Sequence, residues 1–223
     1  MVTPDDVTLM IPQRGGAALT RHCLEGLFRY EPDVGEILVI DDGSPDDSAE
    51  DVERTSPAPV KVLRTEPRGV TAAWNLGLAT ATTHYVVLLN NDVLIHGPWL
   101  EQLLQPLADG TAVIAGARWR TERMLPQSLL HRSPATRLLE GWCLALARET
   151  WRQLGGFEAS LRLYWSDTDF QWRAVQQYGE RALHAVENLP LEHLGHRTTR
   201  QSPDREALWR ADRQRFIEIW SLS

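Results

Sequence analysis

Tyr85-Val86-Val87-Leu88-Leu89-Asn90-Asn91-Asp92-Val93 decides how the rest of the chain is read. Five consecutive apolar residues without polar alternation read as a strand buried on both faces, the pattern of a parallel sheet. Two amides and a carboxylate stand where that strand ends. In open α/β sheets the carboxyl ends of the strands form the edge at which ligands bind. An Asp at such a place also serves as an ordinary loop residue or helix cap. Its meaning therefore rests on what the other segments bring to the same edge.

Upstream, residues 7–11 form a short apolar run stopped by Pro12, a first strand. Leu19, Cys23, Leu24, Leu27 and Phe28 recur at helical spacing over 17–30. A second buried strand over 36–40 runs into Asp41-Asp42-Gly43-Ser44. A helix is expected over 46–54, a third strand over 60–64 and a helix over 69–79. This β-α-β-α-β-α-β order predicts a mostly parallel sheet, flanked by helices and joined by right-handed crossovers. Downstream, Pro98 suits the first turn of a helix over 98–107. A strand is expected over 111–119, and another over 138–147 interrupted at Gly141. Short and long helices follow over 149–154 and 166–178, two short strands within 181–194, and a closing amphipathic helix over 206–220. The polar stretch 120–134 carries no periodicity, and a loop that long in a compact domain is functional or mobile.

The chain has 223 residues, 43% hydrophobic and 24% charged, which suits one large globular domain. A net charge of −7 argues against general nucleic-acid binding, which needs a basic face. Arg197, Arg200 and Arg205 leave room for a local basic patch. Cys23 and Cys143 lie in apolar surroundings without metal-ligand spacing and read as small core residues. Together with an N-terminus that lacks a basic region and an apolar segment, they point to a reducing, cytoplasmic setting. No run approaches the length of a membrane span. Nine tryptophans supply both core packing and flat platforms of the kind that sugar rings stack on.

Asp41 and Asp42 end the second strand at the same edge as Asp92. Turn chemistry accounts for Gly43 and Ser44 better than for two adjacent carboxylates. A carboxylate there can accept from a pyrimidine N–H or a ribose hydroxyl. No Gly-x-Gly-x-x-Gly follows the first strand and no Walker loop is present, which disfavours a nicotinamide dehydrogenase or a P-loop enzyme. Arg64, Arg68 and Gly69 precede a helix carrying Asn75, and cations at a helix N-terminus suit phosphate. Asp167 and Asp169 open a helix. Capping uses one carboxylate and leaves the second available as a base, with Tyr164 and Trp165 near enough to shield it from water. His193 ends a late strand and, with Asp92, is a candidate ligand for a divalent ion.

These segments, taken in order, resemble the family 2 inverting glycosyltransferases of the GT-A fold, and within them the rhamnosyltransferase-like branch. The resemblance rests on Ile11-Pro12, Val39-Ile40-Asp41-Asp42-Gly43-Ser44, Gly69 with Asn75, Leu89-Asn90-Asn91-Asp92, Gly141, Gly155-Gly156-Phe157, Asp167-x-Asp169 with Arg173, and His193 with Gly195. It covers nearly the whole chain to about residue 198. Three departures stand out. Asn90-Asn91-Asp92 replaces Asp-x-Asp, Ser166-Asp167 replaces a Glu-Asp pair, and Pro67-Arg68-Gly69 replaces Asn-x-Gly.

The resemblance implies a single domain. Residues 1–97 would bind a nucleoside-diphosphate sugar, UDP- or dTDP-linked. Residues 98–223 would bind a glycan, lipid-linked or small-molecule acceptor. Pro12, Asp41, Asp42, Arg68, Gly69, Asn75, Asn90 and Asn91 would contact the donor, with Asp42 on the base. Asp92 and His193 would hold Mn²⁺ or Mg²⁺, Asp167 would be the general base, and 120–134 would close over the acceptor. Two other classes stay open: a sugar-phosphate nucleotidyltransferase, for which Gln13-Arg14-Gly15-Gly16 is a poor phosphate loop, and a non-catalytic carbohydrate-binding subunit.

Overall fold

The computed structural model describes residues 3–120, 137–195 and 205–222. Its centre is a seven-stranded sheet built from β1 (Val7–Gln13), β2 (Glu36–Asp42), β3 (Lys61–Thr65), β4 (Tyr85–Leu89), β6 (Ile114–Gly116), β7 (Cys143–Ala147) and β8 (Leu183–Ala185), in the order β3-β2-β1-β4-β7-β6-β8. The first four strands are parallel. β7 runs antiparallel to both β4 and β6, and β8 is parallel to β6. The expected mostly parallel, helix-flanked α/β sheet is therefore the observed one. A separate two-stranded ribbon pairs β5 (Val93–Ile95) with β9 (Leu191–His193).

The helices are α1 (Ala17–Tyr30), α2 (Ser48–Thr55), α3 (Val70–Thr80), α4 (Leu100–Ala108), α5 (Arg148–Gln153), α6 (Ser166–Tyr178) and α7 (Arg205–Trp220). Two cores sit on the two faces of the sheet. On one, Leu24 and Leu27 of α1, Leu103 and Leu104 of α4, and Trp99 just before α4 pack on Leu9, Ile11 and Val39. On the other, Trp74 and Leu78 of α3 and Phe170 of α6 pack on Met10, Leu38 and Leu88. Alternate residues of each parallel strand thus serve opposite cores, which is why β1, β2 and β4 are apolar without alternation. A third cluster, Leu161, Trp172 and Phe216, seats α7 against α6.

Several expected elements are shorter than read. The strand expected over 111–119 is β6 plus a single bridge from Trp119 to Leu139, and that expected over 138–147 begins only at Cys143. The two late strands belong to different sheets, β8 to the large one and β9 to the ribbon. The helix expected from 98 starts at Leu100, because Glu31 at the end of α1 accepts from the Trp99 and Leu100 N–H groups at 2.6 and 2.9 Å and so fixes the first turn. Residues 121–134 of the expected lid, and Arg197 and Arg200 of the expected basic patch, lie outside the described residues.

The strand order reverses between β1 and β4: β2 and β3 lie on one side of β1, while β4, β7, β6 and β8 lie on the other. Pairing of β4 with β1 stops at Met10–Leu88, whereas β2 follows β1 on to Gln13. Pro12, which has no N–H to offer, therefore sits where β1 has lost one neighbour. In open α/β sheets ligands bind at such a switch point, beyond the carboxyl ends of the strands.

Candidate active site

The β2 edge is built by its own two carboxylates. Asp41 accepts from Gln13 Nε2 at 3.1 Å, from the Ser44 N–H at 2.9 Å and from the Ser44 hydroxyl. Ser44 Oγ in turn accepts from the Gly15 N–H at 2.7 Å, so the loops after β1 and β2 are tied together. The adjacent carboxylates, which turn chemistry left unexplained, thus divide their work. Asp41 makes the loop, and Asp42 reaches across to the next one.

Asp42 is buried and accepts from the Arg68 and Gly69 N–H groups at 2.7 and 2.9–3.0 Å. Burial pushes its carboxyl up, against those two N–H groups and the guanidiniums of Arg14 and Arg162. Two oxygens carry about four acceptor positions, so capacity for a ligand donor is left on Oδ2. Gly69 caps α3 at φ 97°, and a Cβ there would run into the Arg162 carbonyl oxygen. The α3 N-terminus is therefore covered by 161–165. The Thr71 hydroxyl holds the Leu161 carbonyl, and Asp212 of α7 accepts from the Leu163 and Tyr164 N–H groups at 2.8 Å each.

Two of the residues expected at the donor, Asn75 and Asn91, are held by internal hydrogen bonds. Asn75 Oδ1 accepts from the Phe157 N–H at 2.9 Å and Trp151 Nε1 at 3.1 Å, and its Nδ2 donates to the Phe157 carbonyl at 2.8 Å. Its amide clamps α3 to the Gly155-Gly156-Phe157 segment, because a part-buried amide with these partners has little left for a ligand. Asn91 is buried and donates to Thr20 Oγ1 at 3.1 Å, anchoring the turn after β4 to α1. Arg64 is exposed and makes a two-point contact with Glu53 of α2 at 2.8 and 3.1 Å. Arg68 is exposed beside the α3 N-terminus, and Asn90 is half-buried at the β4 edge with its N–H on the Trp142 carbonyl at 2.9 Å.

The ribbon explains how Asp92 meets a residue from the far end of the chain. Val93 pairs with His193, and the Leu194 N–H donates to the Asp92 carbonyl at 3.0 Å. This puts His193 Nε2 3.2 Å from Asp92 Oδ1. Trp142 stacks on the imidazole, centroids 5.1 Å apart and planes 16° apart, and so sets the ring plane. Neighbouring ligands on a hard divalent ion with metal–ligand distances of about 2.0–2.2 Å lie about 3 Å apart, so the pair is already spaced for one ion. Carboxylate oxygen suits Mg²⁺ and Mn²⁺ alike, and the imidazole tips the set toward Mn²⁺. No group of three or more His, Cys, Asp or Glu ligands forms among the described residues. Two protein ligands at this spacing would leave most of the coordination positions of such an ion open.

Asp167 and Asp169 open α6 on opposite sides. Asp169 is buried, bonded to Arg173 Nε and Nη2 at 3.0 and 2.6 Å and to Trp220 Nε1 at 3.0 Å. The expected i+4 pairing with Arg173 is present. Asp167 points instead toward Gly141, where a Cβ would collide with Oδ2, and that oxygen is ion-paired with Arg120. A guanidinium is therefore the charged neighbour of Asp167, while Trp165 packs on Trp209 and Phe216 of α7. Sequence reasoning missed Arg120 altogether, and the break in the strand at Gly141 was the available signal.

Residues 8–172 match the family described as glycosyl transferase family 2. The chain belongs to that family. Among curated family members, the pre-mycofactocin glycosyltransferase of Mycobacterium tuberculosis is 28% identical over 196 residues, covering 77% of this chain and 39% of its own length. Glycosyltransferase GlyA of Streptococcus pneumoniae is 29% identical over 117 residues, 52% of this chain and 17% of the relative. The chain thus spans well under half the length of these relatives. In fold it is similar to glucosyl-3-phosphoglycerate synthase of M. tuberculosis, solved with Mn²⁺ and UDP-glucose, at TM-score 0.72 and 18% identity over 96% of this chain and 78% of that one. It is also similar to the mannosyltransferase PcManGT of Pyrobaculum calidifontis, solved with GDP-mannose and Mn²⁺, at TM-score 0.66 and 23% identity over 97% and 64%. No helix among the described residues is long and apolar enough to cross a membrane.

Proposed function

We propose that this chain moves a sugar from a nucleoside-diphosphate sugar to an acceptor hydroxyl with inversion at the anomeric carbon. The observation that carries the reading is the convergence of Asp92 and His193 just beyond the carboxyl end of β4, at the switch-point edge of the sheet where Asp41 and Asp42 also end β2. Family membership and the nucleotide sugars bound by the structural neighbours support it.

In this reading residues 1–97 bind the donor. Asp42 accepts a donor hydrogen from the nucleoside through its spare capacity. Pro12 and Asn90 lie at the same carboxyl edge, and the exposed Arg68 guanidinium is the cation for the phosphates, while the N–H groups that open α3 are taken by Asp42 and the Arg162 carbonyl. Asp41 keeps the two loops in register. Asp92 and His193 hold Mn²⁺ or Mg²⁺, which stabilises the charge on the departing diphosphate without a proton. Asp167 takes the proton of the acceptor hydroxyl as that oxygen attacks from the face opposite the leaving group. One displacement inverts the centre, so neither a nucleophilic Ser nor a Cys is needed. Cys23 and Cys143 are buried, and burial pushes the Cys23 thiol up to about 12. Residues 98–223 supply the acceptor side, for a glycan, lipid-linked or small-molecule hydroxyl.

The test is product release from UDP-, dTDP- and GDP-linked hexoses with and without Mn²⁺. Metal-dependent release of nucleoside diphosphate is the expected result. Release of pyrophosphate from a nucleoside triphosphate and sugar phosphate would instead identify a nucleotidyltransferase. Binding without turnover across the panel would identify a carbohydrate-binding subunit.

A further inference from the structure

On the reading of Asp167 as the base, we propose that Arg120 is its positioning residue, holding one carboxylate oxygen so that the other faces the acceptor hydroxyl. Arg120 Nη2 pairs with Asp167 Oδ2, and its Nη1 donates to Thr168 Oγ1 at 2.6 Å. The pair is only 13% and 16% exposed, so it is little screened by water. Oδ2 occupies the space that Gly141 leaves by having no Cβ. Oδ1 has only a long 3.5 Å contact from the Thr168 hydroxyl among the described residues. The carboxylate is therefore pinned at one oxygen and available at the other.

Arg120 is itself fixed to the helix that carries the base. Its N–H donates to the Leu138 carbonyl at 2.6 Å, and the Glu140 N–H donates to the Arg118 carbonyl at 2.9 Å, flanking the Trp119–Leu139 bridge. Gln171, one helical turn beyond Asp167 and fully buried, grips that short ribbon from α6. Its Oε1 accepts from the Leu139 N–H at 2.6 Å and its Nε2 donates to the Leu139 carbonyl at 3.1 Å. Guanidinium, carboxylate and helix thus form one closed loop of contacts, which limits how far the carboxylate can swing. A placement error of about 1 Å at a reacting group costs on the order of 10²-fold in rate.

The experiment compares Arg120→Met, Arg120→Lys and Asp167→Asn. In a crystal structure of R120M, Asp167 is expected to rotate off Gly141. In R120K it is expected to stay. R120M should bind UDP with Mn²⁺ as the wild type does by calorimetry, yet lose about 10²-fold in turnover of whichever sugar nucleotide the wild type cleaves. R120K should recover part of that loss, and millimolar guanidinium should rescue R120M, which a purely structural role would not allow. If R120M does not fold, the position of Asp167 and the turnover in R120K carry the test. Asp167 unmoved in R120M, or wild-type turnover in R120M while D167N is inactive, overturns the proposal. Wild-type turnover in D167N sinks the base assignment itself, whatever Arg120 does.

Discussion

The two sides of the first turn of α6 place the same side chain in opposite circumstances. Asp169 has both oxygens bonded, one by Arg173 and one by Trp220, is buried, and with Arg173 ties α7 and the Gly155-Gly156 segment to the helix. Asp167, two residues earlier, has one oxygen on Arg120 and, among the described residues, only a long contact from the Thr168 hydroxyl at the other. Helical geometry alone separates them by about 200° around the axis. A buried carboxylate bonded at both oxygens stabilises a fold. One held firmly at a single oxygen keeps the other for a proton. Identical chemistry in adjacent turn positions is thus divided by partners into scaffold and site.

The comparison breaks most decisively in turnover. Asp167→Asn keeps the shape and cannot accept a proton, so steady-state assays should show a loss of roughly 10²–10⁴ with unchanged melting and donor affinity. Asp169→Ala is expected to do the reverse. It leaves the Trp220 N–H and the Arg173 guanidinium without their acceptor, costing about 1–3 kcal/mol in denaturant unfolding. Asp92→Ala sharpens the contrast from outside the helix. Mn²⁺-dependent binding of UDP or dTDP should weaken about tenfold, as for loss of an anionic metal ligand, whereas D167N should leave it intact. Equal affinity for D92A and wild type in calorimetry would remove the metal from Asp92.

The smallest expected effect is in pH. Burial holds the Asp169 carboxyl above its ordinary range, only partly offset by Arg173 and Trp220. The folded state therefore keeps that proton more tightly than the unfolded chain. The group's contribution is fully present below the usual carboxylate range and is lost as pH rises through its elevated folded value. In Asp169→Asn that part of the stability–pH slope should vanish, so wild type and variant converge at low pH. Parallel slopes in urea titrations across this window would contradict the assignment.

The order of elements and the two-faced character of α6 were legible because they are local. Periodicity over 166–178 places Asp167 and Asp169 on opposite faces whatever surrounds them. The parallel half of the sheet was legible for the same reason, each strand being followed by its crossover helix. The partner of Asp92 was not geometrically derivable. β5 and β9 are three residues each, and nothing within either says that Val93 pairs with His193. The inward turn of Asn75 and Asn91 was hidden because an amide at a ligand edge and an amide clamping a loop look alike until Phe157 and Thr20 are in place. Arg120 was hidden because a lone Arg at a strand end is most often a solvated one.

The claim that Asp167 serves a single direct displacement is tested most directly by the configuration of the product. Proton NMR of freshly released sugar, followed during Mn²⁺-dependent cleavage of an α-linked nucleoside-diphosphate hexose, resolves the first-formed anomer before it equilibrates. The β anomer is expected, in wild type and in whatever residual activity D167N retains. First appearance of the α anomer would mean two displacements or frontal attack, and would contradict a role for Asp167 as the base of a single inverting step.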